Sequence, residues 1–583
     1  MRVTRILLLM QSATLLLVCS QAFGQTVSVR VLNRQTAEPV TGALVGLIDE
    51  SGLVGQQLTD GLGRAVLPPG AAGAYRIRVQ MIGMATVETE SFAVEGGASV
   101  HREVSLEARP LGLEGLAVKV GERCQVRPEA SLTAQVWNEA SKALAIAALT
   151  DDQQLFRYET MLYERDLDRD ARVVLEERQS RREASMRTPF RSRPVGEFME
   201  RRFVERSGGV DLYFAPDANV LLSDAFLDAH CFRLRPGEDG GEAAGLVGLA
   251  FEPLRRRGRT VDISGTLWLE PASAELQWLE YRYENLEPDI RSDELGGRVE
   301  FRRMPEGGWI VPRWWIRMPL VAEHRMALAG RRSYLTGIRE AGGLVLDVEA
   351  AGRAVVRVGT GGIDGVVTDS LGRGAEGAVV EVVGTGRETS TDSGGHYRLS
   401  GLVDGIYRVR VDHPDIRPYG YRPEPLTRAV AGGQISNLDF ALPSVGEVLG
   451  DLCREQPTRL ASSAELPPQA QGGNGTLVGW VRDAVSGEPL GGATVRAGRS
   501  EWSLTLLRDP VSGRTRNAFS QQPYVFESTA DETGFYVLCD LPEEWSLAIA
   551  ATHQGFPSEA DTVRIELGGI REHTVRISRA PRR

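Results

Sequence analysis

Residues 377–411 read GAVVEVVGTGRETSTDSGGHYRLSGLVDGIYRVRV. The stretch opens on a Gly-Ala pair, crosses a Thr391-Asp392-x-x-Gly395-x-Tyr397 turn, and closes on alternating Tyr407, Val409 and Val411. Alternation of apolar and polar residues over short runs bounded by Gly and Asp predicts half-buried antiparallel strands joined by turns. The carboxylate of such a turn accepts local N–H groups while its glycine takes the left-handed conformation. Reading outward, Ile363 opens this copy, which also carries Gly377, Ala378 and Val380, and the pattern occurs twice more. One copy runs from Val27, Val29 and Val31 through Pro39, Gly42, Ala43, Val45, Thr59, Asp60 and Gly63 to Tyr75, Ile77 and Val79. The other runs from Leu477 through Pro489, Gly492, Ala493, Val495, Asp531, Gly534 and Tyr536 to Trp545, Leu547 and Ile549. The turn glycine precedes the closing aromatic by 12, 12 and 11 residues, so the match is one of spacing as well as of type.

These units resemble carboxypeptidase regulatory-like domains, transthyretin-like β-sandwiches of the carbohydrate-binding-like superfamily, whose hallmark is Pro-x-x-Gly-Ala-x-Val followed by Thr-Asp-x-x-Gly-x-Tyr. Departures are Gly374 for the proline, Ala65 for the closing tyrosine, and Ala530 for the threonine, with about 24 extra residues before Asp531 in the last copy. The resemblance implies a binding or spacing module and transfers no catalytic residue. Zinc carboxypeptidases, to which such modules are attached, need a His-x-x-Glu pair. None of His101, His230, His324, His396, His413, His553 and His573 begins one, and each is expected to be a surface or turn residue. Self-stapling by Lys–Asn isopeptide bonds, as in pilin-like sandwiches, is excluded for the second and third copies, which lack lysine.

The chain of 583 residues has 42% hydrophobic and 25% charged residues, enough for several domains, and a formal charge of −11 that argues against nucleic acid as the main partner. Met1, Arg2 and Arg5, an apolar run from Ile6 to Val18, and Ala22 and Gly24 predict an export signal over 1–24 cut after Gly24. Lipidation at Cys19 is the lesser reading, because bulky Val18 precedes it. No later apolar run is long enough for a transmembrane helix. Cys124, Cys231, Cys453 and Cys539 then remain, and three pairings are open; position favours Cys453 with Cys539 and Cys124 with Cys231. The only lysines are Lys119 and Lys142, which reads as codon bias, and the basic run from Arg178 to Arg193 reads as a solvated loop.

Between the first two copies, Leu132, Val136, Ala140 and Leu144 fall on one i, i+4 row and predict an amphipathic helix over Ser131–Leu149. Strand-like runs follow at Leu155–Glu164, Arg172–Gln179, Gly265–Glu270, Glu275–Glu284, Arg298–Arg303 and Trp309–Met318. They predict an antiparallel meander with the helix across it, weakly similar to the half-barrels of lipoprotein carriers. Asp166, Asp168, Asp170 and Glu177 have calcium-loop spacing, but Ala171 occupies the position that needs glycine, so a hairpin tip is expected. Trp268, Trp278, Trp309, Trp314 and Trp315 are expected in the core, with stacking on a ligand as the alternative.

The expected fold is mainly β: three transthyretin-like β-sandwiches flanking a middle α+β region. Expected boundaries are sandwiches at 25–108, 359–443 and 475–583, the middle region at 109–358, and a linker at 444–474. No catalytic or metal-binding residue and no cofactor is expected. The chain reads as a non-enzymatic protein exported to the periplasm or beyond, meeting polysaccharide or another envelope protein. The alternatives are a carbohydrate-binding protein, with Trp502, Tyr524 and Phe526 as an exposed platform, and a lipid or lipoprotein carrier working through the middle region.

Overall fold

The computed structural model describes residues 25–583 apart from 110, 112–123, 125, 127–131, 186–189, 191, 198–202, 208–209, 255–259, 327–329, 351–352, 420–422, 462–465, 468–469, 509, 567 and 580–583. The expected signal and Cys19 lie outside the described residues. The chain is mainly β and divides into two compact units, Met1–Thr360 and Gly361–Arg583.

One strand order occurs three times. In unit 1, Thr26–Asn33 lies between antiparallel Arg64–Leu67 and parallel Ser99–Leu106. In unit 2, Gly361–Thr368 is flanked in the same way by His396–Leu402 and Ile435–Asn437, and Gly475–Asp483 by Phe535–Leu541 and Ile570–Glu572. A second sheet faces each of these, built on Leu44–Asp49, Val379–Val382 and Thr494–Arg508. Val27, Val29, Val31, Val45, Ile77 and Val79 are fully buried between the layers of the first sandwich.

The repeated motif is a set of polar clips. Thr391 Oγ1 donates to Ala375 O and accepts from Ala378 N at 2.9 Å, and Thr59 does the same with Val40 O and Ala43 N. Asp392 Oδ1 accepts from the N–H groups of Gly394 and His396, each at 2.9 Å; the His396 N–H is the main reason its carboxyl sits below the usual carboxylate range. Gly395 has φ +78°, and a Cβ there would meet Val367 O at 2.2 Å, so both conformation and space demand glycine. Tyr397 and Tyr536 donate to Leu438 O and His573 O, tying the turn to the closing strands of their sandwiches. Removing the Thr391 hydroxyl strands a buried donor and acceptor together, so Thr391→Val is expected to cost about 1–3 kcal/mol, with Thr391→Ser near wild type. Denaturant unfolding of the two variants checks this.

The middle region is a ten-stranded sheet. Its meander runs from His230–Pro236 through Val247–Pro253, Asp262–Leu269, Leu276–Glu284, Gly296–Glu300 and Arg313–Met326 to Gly330–Ala350, after which the hairpin Arg157–Leu167/Val174–Ser185 adds to the far edge. The helix Leu132–Asp152 covers the apolar face, with Val136, Ala140 and Leu144 fully buried and Trp137 5.2 Å from Phe232. The Asp166-to-Glu177 stretch is a hairpin tip: Asp168 Oδ1 caps Arg172 N, Asp166 is bound by Arg339, and Glu177 is buried beside Arg165.

Two expectations need correction here. The segment 444–474 contains a helix, Val445–Glu455, started by a Ser444/Glu447 capping box, and a strand, Arg459–Leu460, paired with Glu527 and Phe526. Apolar Val448 and Leu449 are buried and seat the helix. His230 and His553 are buried, not surface residues; His230 stacks on Phe226 at 4.0 Å and shares Nδ1 with the Phe226 carbonyl.

Candidate functional site: an apolar hairpin arm and a charged sheet face

The extra residues that precede Asp531 in the last sandwich form a long hairpin. Thr494–Arg508 pairs with Thr515–Thr529 without a register shift, from Thr494 opposite Thr529 to Arg508 opposite Thr515. Only its root belongs to the sandwich, where residues 494–498 also pair with Ser546–His553. Facing positions on paired strands lie on one side of a sheet, so the register sorts the arm into two faces. At the root, Val495, Ala497 and Phe526 point into the core. Beyond it that same face turns mostly polar, with Glu501, Ser503, Thr505 and Ser520, and a single large apolar residue, Leu507, near the tip. The opposite face, external at the root, turns apolar: Trp502, Leu504, Leu506 and Phe519 are 69%, 55%, 67% and 72% exposed.

The three aromatics expected to form one platform are therefore not together. Tyr524 and Phe526 are each 4% exposed, Tyr524 packing 5.5 Å from Trp545 and Phe526 within the sandwich core, on the face opposite Trp502. The apolar side of the hairpin changes where it leaves the sandwich, which puts Tyr524 and Phe526 on the inward face and Trp502 on the outward one. Phe519, which sequence reasoning missed, stands opposite Leu504 on the Trp502 face; its spacing from Trp502 becomes informative only once the register of the two strands is known.

In unit 1 the polar face of the large sheet carries a row of charges set by register: Glu177, Arg165, Glu340 and Arg317 occupy facing positions on four successive strands. Glu340, with no exposed surface, accepts from Arg165 Nε at 3.0 Å, Arg317 Nε at 2.7 Å and Tyr163 Oη at 3.1 Å. Burial pushes the Glu340 carboxyl up, but the two guanidiniums outweigh it and hold the group below its ordinary value; burial pushes the Tyr163 phenol up. Arg317 also stacks over Trp315 at 4.3 Å and binds Glu294. Beside this row is a trough of about 610 Å³ lined by Arg233, Arg282, Glu252, Glu280, Trp315 and others. Its mixed charges face solvent. Trp268, Trp278, Trp309 and Trp314 are buried core aromatics, whereas Trp315 is half-buried in the wall of the trough. In the basic run, Arg181 pairs with Glu159, while Arg193 pairs with Glu205 and lies 3.9 Å over Phe214.

The apolar face of this sheet is filled by the helix and by Phe226, Phe251 and Phe232. A cleft of about 590 Å³ at the helix end has Ala147 and Phe190 in its wall but also Asp151, Asp152, Arg193 and Asp217. Neither feature is the open apolar cavity that a lipid carrier calls for. No described helix is long and apolar enough to cross a membrane. The structure carries disulfides Cys124–Cys231 and Cys453–Cys539, the second joining the capped helix to the strand Phe535–Leu541. The grouping of Cys124 and Cys231 with Glu252 is thus a bonded pair beside a carboxylate, and its thiols are not available as metal ligands.

Residues 362–443 match the carboxypeptidase regulatory-like domain. The boundaries enclose the Thr391 and Asp392 clips and the two strands parallel to Gly361–Thr368, Ile435–Asn437 and Phe440–Ala441. No curated protein matches the chain. Among solved structures, the Bacillus anthracis TIE protein is similar at 12% identity over 64% of each chain, with a TM-score of 0.15. BcpA, the major pilin subunit of Bacillus cereus, is similar at 12% identity over 72% of this chain and 98% of its own, with a TM-score of 0.14. Klebsiella pneumoniae 5-hydroxyisourate hydrolase is similar at 19% identity over 14% of this chain and 87% of its own, with a TM-score of 0.12.

Proposed function

We propose that this is an exported, non-enzymatic, multidomain protein of a bacterial envelope, whose three sandwiches are copies of the regulatory-like module and act as spacers and contact surfaces. The observation that carries this reading is how the motif residues are spent. Thr391, Asp392 and Tyr397 of the regulatory-like domain, and Thr59, Asp60, Asp531 and Tyr536 of the other two sandwiches, all make hydrogen bonds within their own sandwich. Motifs of this kind hold a scaffold, and what varies between the scaffolds is the surface grafted on them, here the arm. Two disulfides fit an oxidising compartment outside the cytoplasm. Fractionation of a Gram-negative host expressing the full chain tests the reading. Mature protein starting at Gln25 in the periplasm or medium is expected, and an uncleaved cytoplasmic chain would sink it.

Exposure of Trp502 and Phe519 on one face favours carbohydrate stacking as a second reading. Co-sedimentation with insoluble envelope and plant polysaccharides should then saturate, and Trp502→Ala should weaken it at least about tenfold, the equivalent of 1.4 kcal/mol. Binding unchanged in that variant would remove the arm from any role in sugar recognition.

A further inference from the structure

We infer that the apolar face of the arm is a self-association surface whose occupant is the arm of a second copy of this chain, packed face to face about a twofold axis through the Leu504/Phe519 pair. The inference rests on the reading of the arm as a contact surface and names its partner. Four large apolar side chains on one side of a two-stranded ribbon are not covered by their own sandwich, because the apolar side inverts where the ribbon leaves it. An uncovered ribbon of this kind is a liability unless it is partnered: the segment 499–508 contains no proline, its pairing has no bulge, and its outer edge makes no strand pair among the described residues.

The pattern is self-complementary. Trp502 and Leu506 stand two residues to either side of Leu504, with Phe519 directly opposite Leu504. A twofold through that pair sets Trp502 of one copy on Leu506 of the other, and each Leu504/Phe519 pair on its counterpart. Between positions 500–508 and 515–523 the face carries a single charge, Arg508, and the same axis lays it over Ser500 and Pro523 of the second copy, so no like charges meet. Large side chains of this type bury about 150–250 Å² each when fully covered. At the exposures observed, the four bring roughly 1,000 Å² over both copies, the lower bound of a biological interface, and a weak dimer with a dissociation constant on the order of micromolar is the expected result.

Sedimentation velocity of the mature chain, disulfides intact, from about 1 to 100 μM tests this. The wild type should shift from monomer to dimer across the range, and Leu504→Glu should stay monomeric with an unchanged melting temperature, since residue 504 lies outside the core. Thr505→Glu, on the opposite face, should dimerise like the wild type. Leu504→Cys should give a covalent dimer under mild oxidation, and Ser503→Cys should not. A wild type that is monomeric throughout, or a dimer that survives Leu504→Glu, overturns the inference. Vesicles of phosphatidylglycerol and phosphatidylcholine form the other arm of the test: capture of a monomeric wild type, lost in Leu504→Glu, would overturn it in favour of a lipid surface. Signal cleavage is read in the same preparation, so a properly exported monomer defeats the second-copy assignment and leaves the envelope reading standing.

Discussion

Glu340→Gln should destabilise unit 1 by roughly 3–5 kcal/mol, among the largest losses from any single substitution in the chain. The carboxylate is fully buried at the centre of a row in which Arg165 and Arg317 both bind it, and Arg165 is itself only 6% exposed. An amide keeps the shape but removes the charge, and two guanidiniums are left in a partly desolvated site with one fewer counterion. The contribution is specific to the broken network. Replacing Glu340, Arg165, Arg317 and the buried Glu177 together by apolar residues of similar volume should recover much of the loss, because the intact ion pairs must also offset the cost of removing four charges from water.

The pH dependence has a definite sign. Glu340 is held below its ordinary value of 4.5 in the folded chain. Its share of the stability is therefore fully present above that ordinary value and is lost as pH falls through the depressed folded one. In the glutamine variant that part of the acid sensitivity disappears. Urea midpoints measured from neutral pH downward should converge for wild type and variant as pH falls. Because a chain of two units does not unfold in one step, hydrogen exchange across 157–185 and 313–348 identifies the transition concerned. A midpoint difference independent of pH would mean that packing around the amide, not charge, carries the effect.

The sandwiches were legible because their determinants are local. Thr391, Asp392, Gly395 and Tyr397 lie within seven residues, and the turn they make is dictated by one hydroxyl, one carboxylate and one left-handed glycine. The helix was equally readable, since Val136, Ala140 and Leu144 share a face at fixed spacing. The charge row was not. Arg165 and Glu340 are 175 residues apart, and an Arg or Glu alternating with apolar residues in a strand looks like a solvated face until the register brings opposite charges level. Placement of Tyr524 and Phe526 failed for a related reason. Tyr524, Val525 and Phe526 are three apolar residues in succession, and only the register shows which of them face the sandwich and which face outward.

Lys142→Met should cost unit 1 about 3–5 kcal/mol as well, and the same residue shows how composition and structure meet. The chain has 67 basic residues, of which the lysines are Lys119, outside the described residues, and Lys142, which is 4% exposed. Its ammonium has three donors and finds three acceptors: Met81 O at 3.1 Å, Met84 O at 2.7 Å and Glu139 Oε1 at 2.6 Å. The other oxygen of Glu139 accepts from Gly83 N at 2.8 Å. One turn of the long helix thus clasps the loop 81–84 of the first sandwich through a closed set of bonds. Convergence of three oxygens on a point suits a compact ammonium and not a planar fork, so Lys142→Arg should also lose stability, by about 1–3 kcal/mol, despite keeping the charge. Methionine leaves Glu139 charged and buried without its cation, whereas the double change Glu139→Leu with Lys142→Met removes both and should fall well short of the single loss. Differential scanning calorimetry of the three variants, with hydrogen exchange of residues 81–84, checks the order. If the double variant is as unstable as Lys142→Met alone, the clasp works through the Lys142 bonds to the Met81 and Met84 carbonyls, which both variants lack, and not through the ion pair.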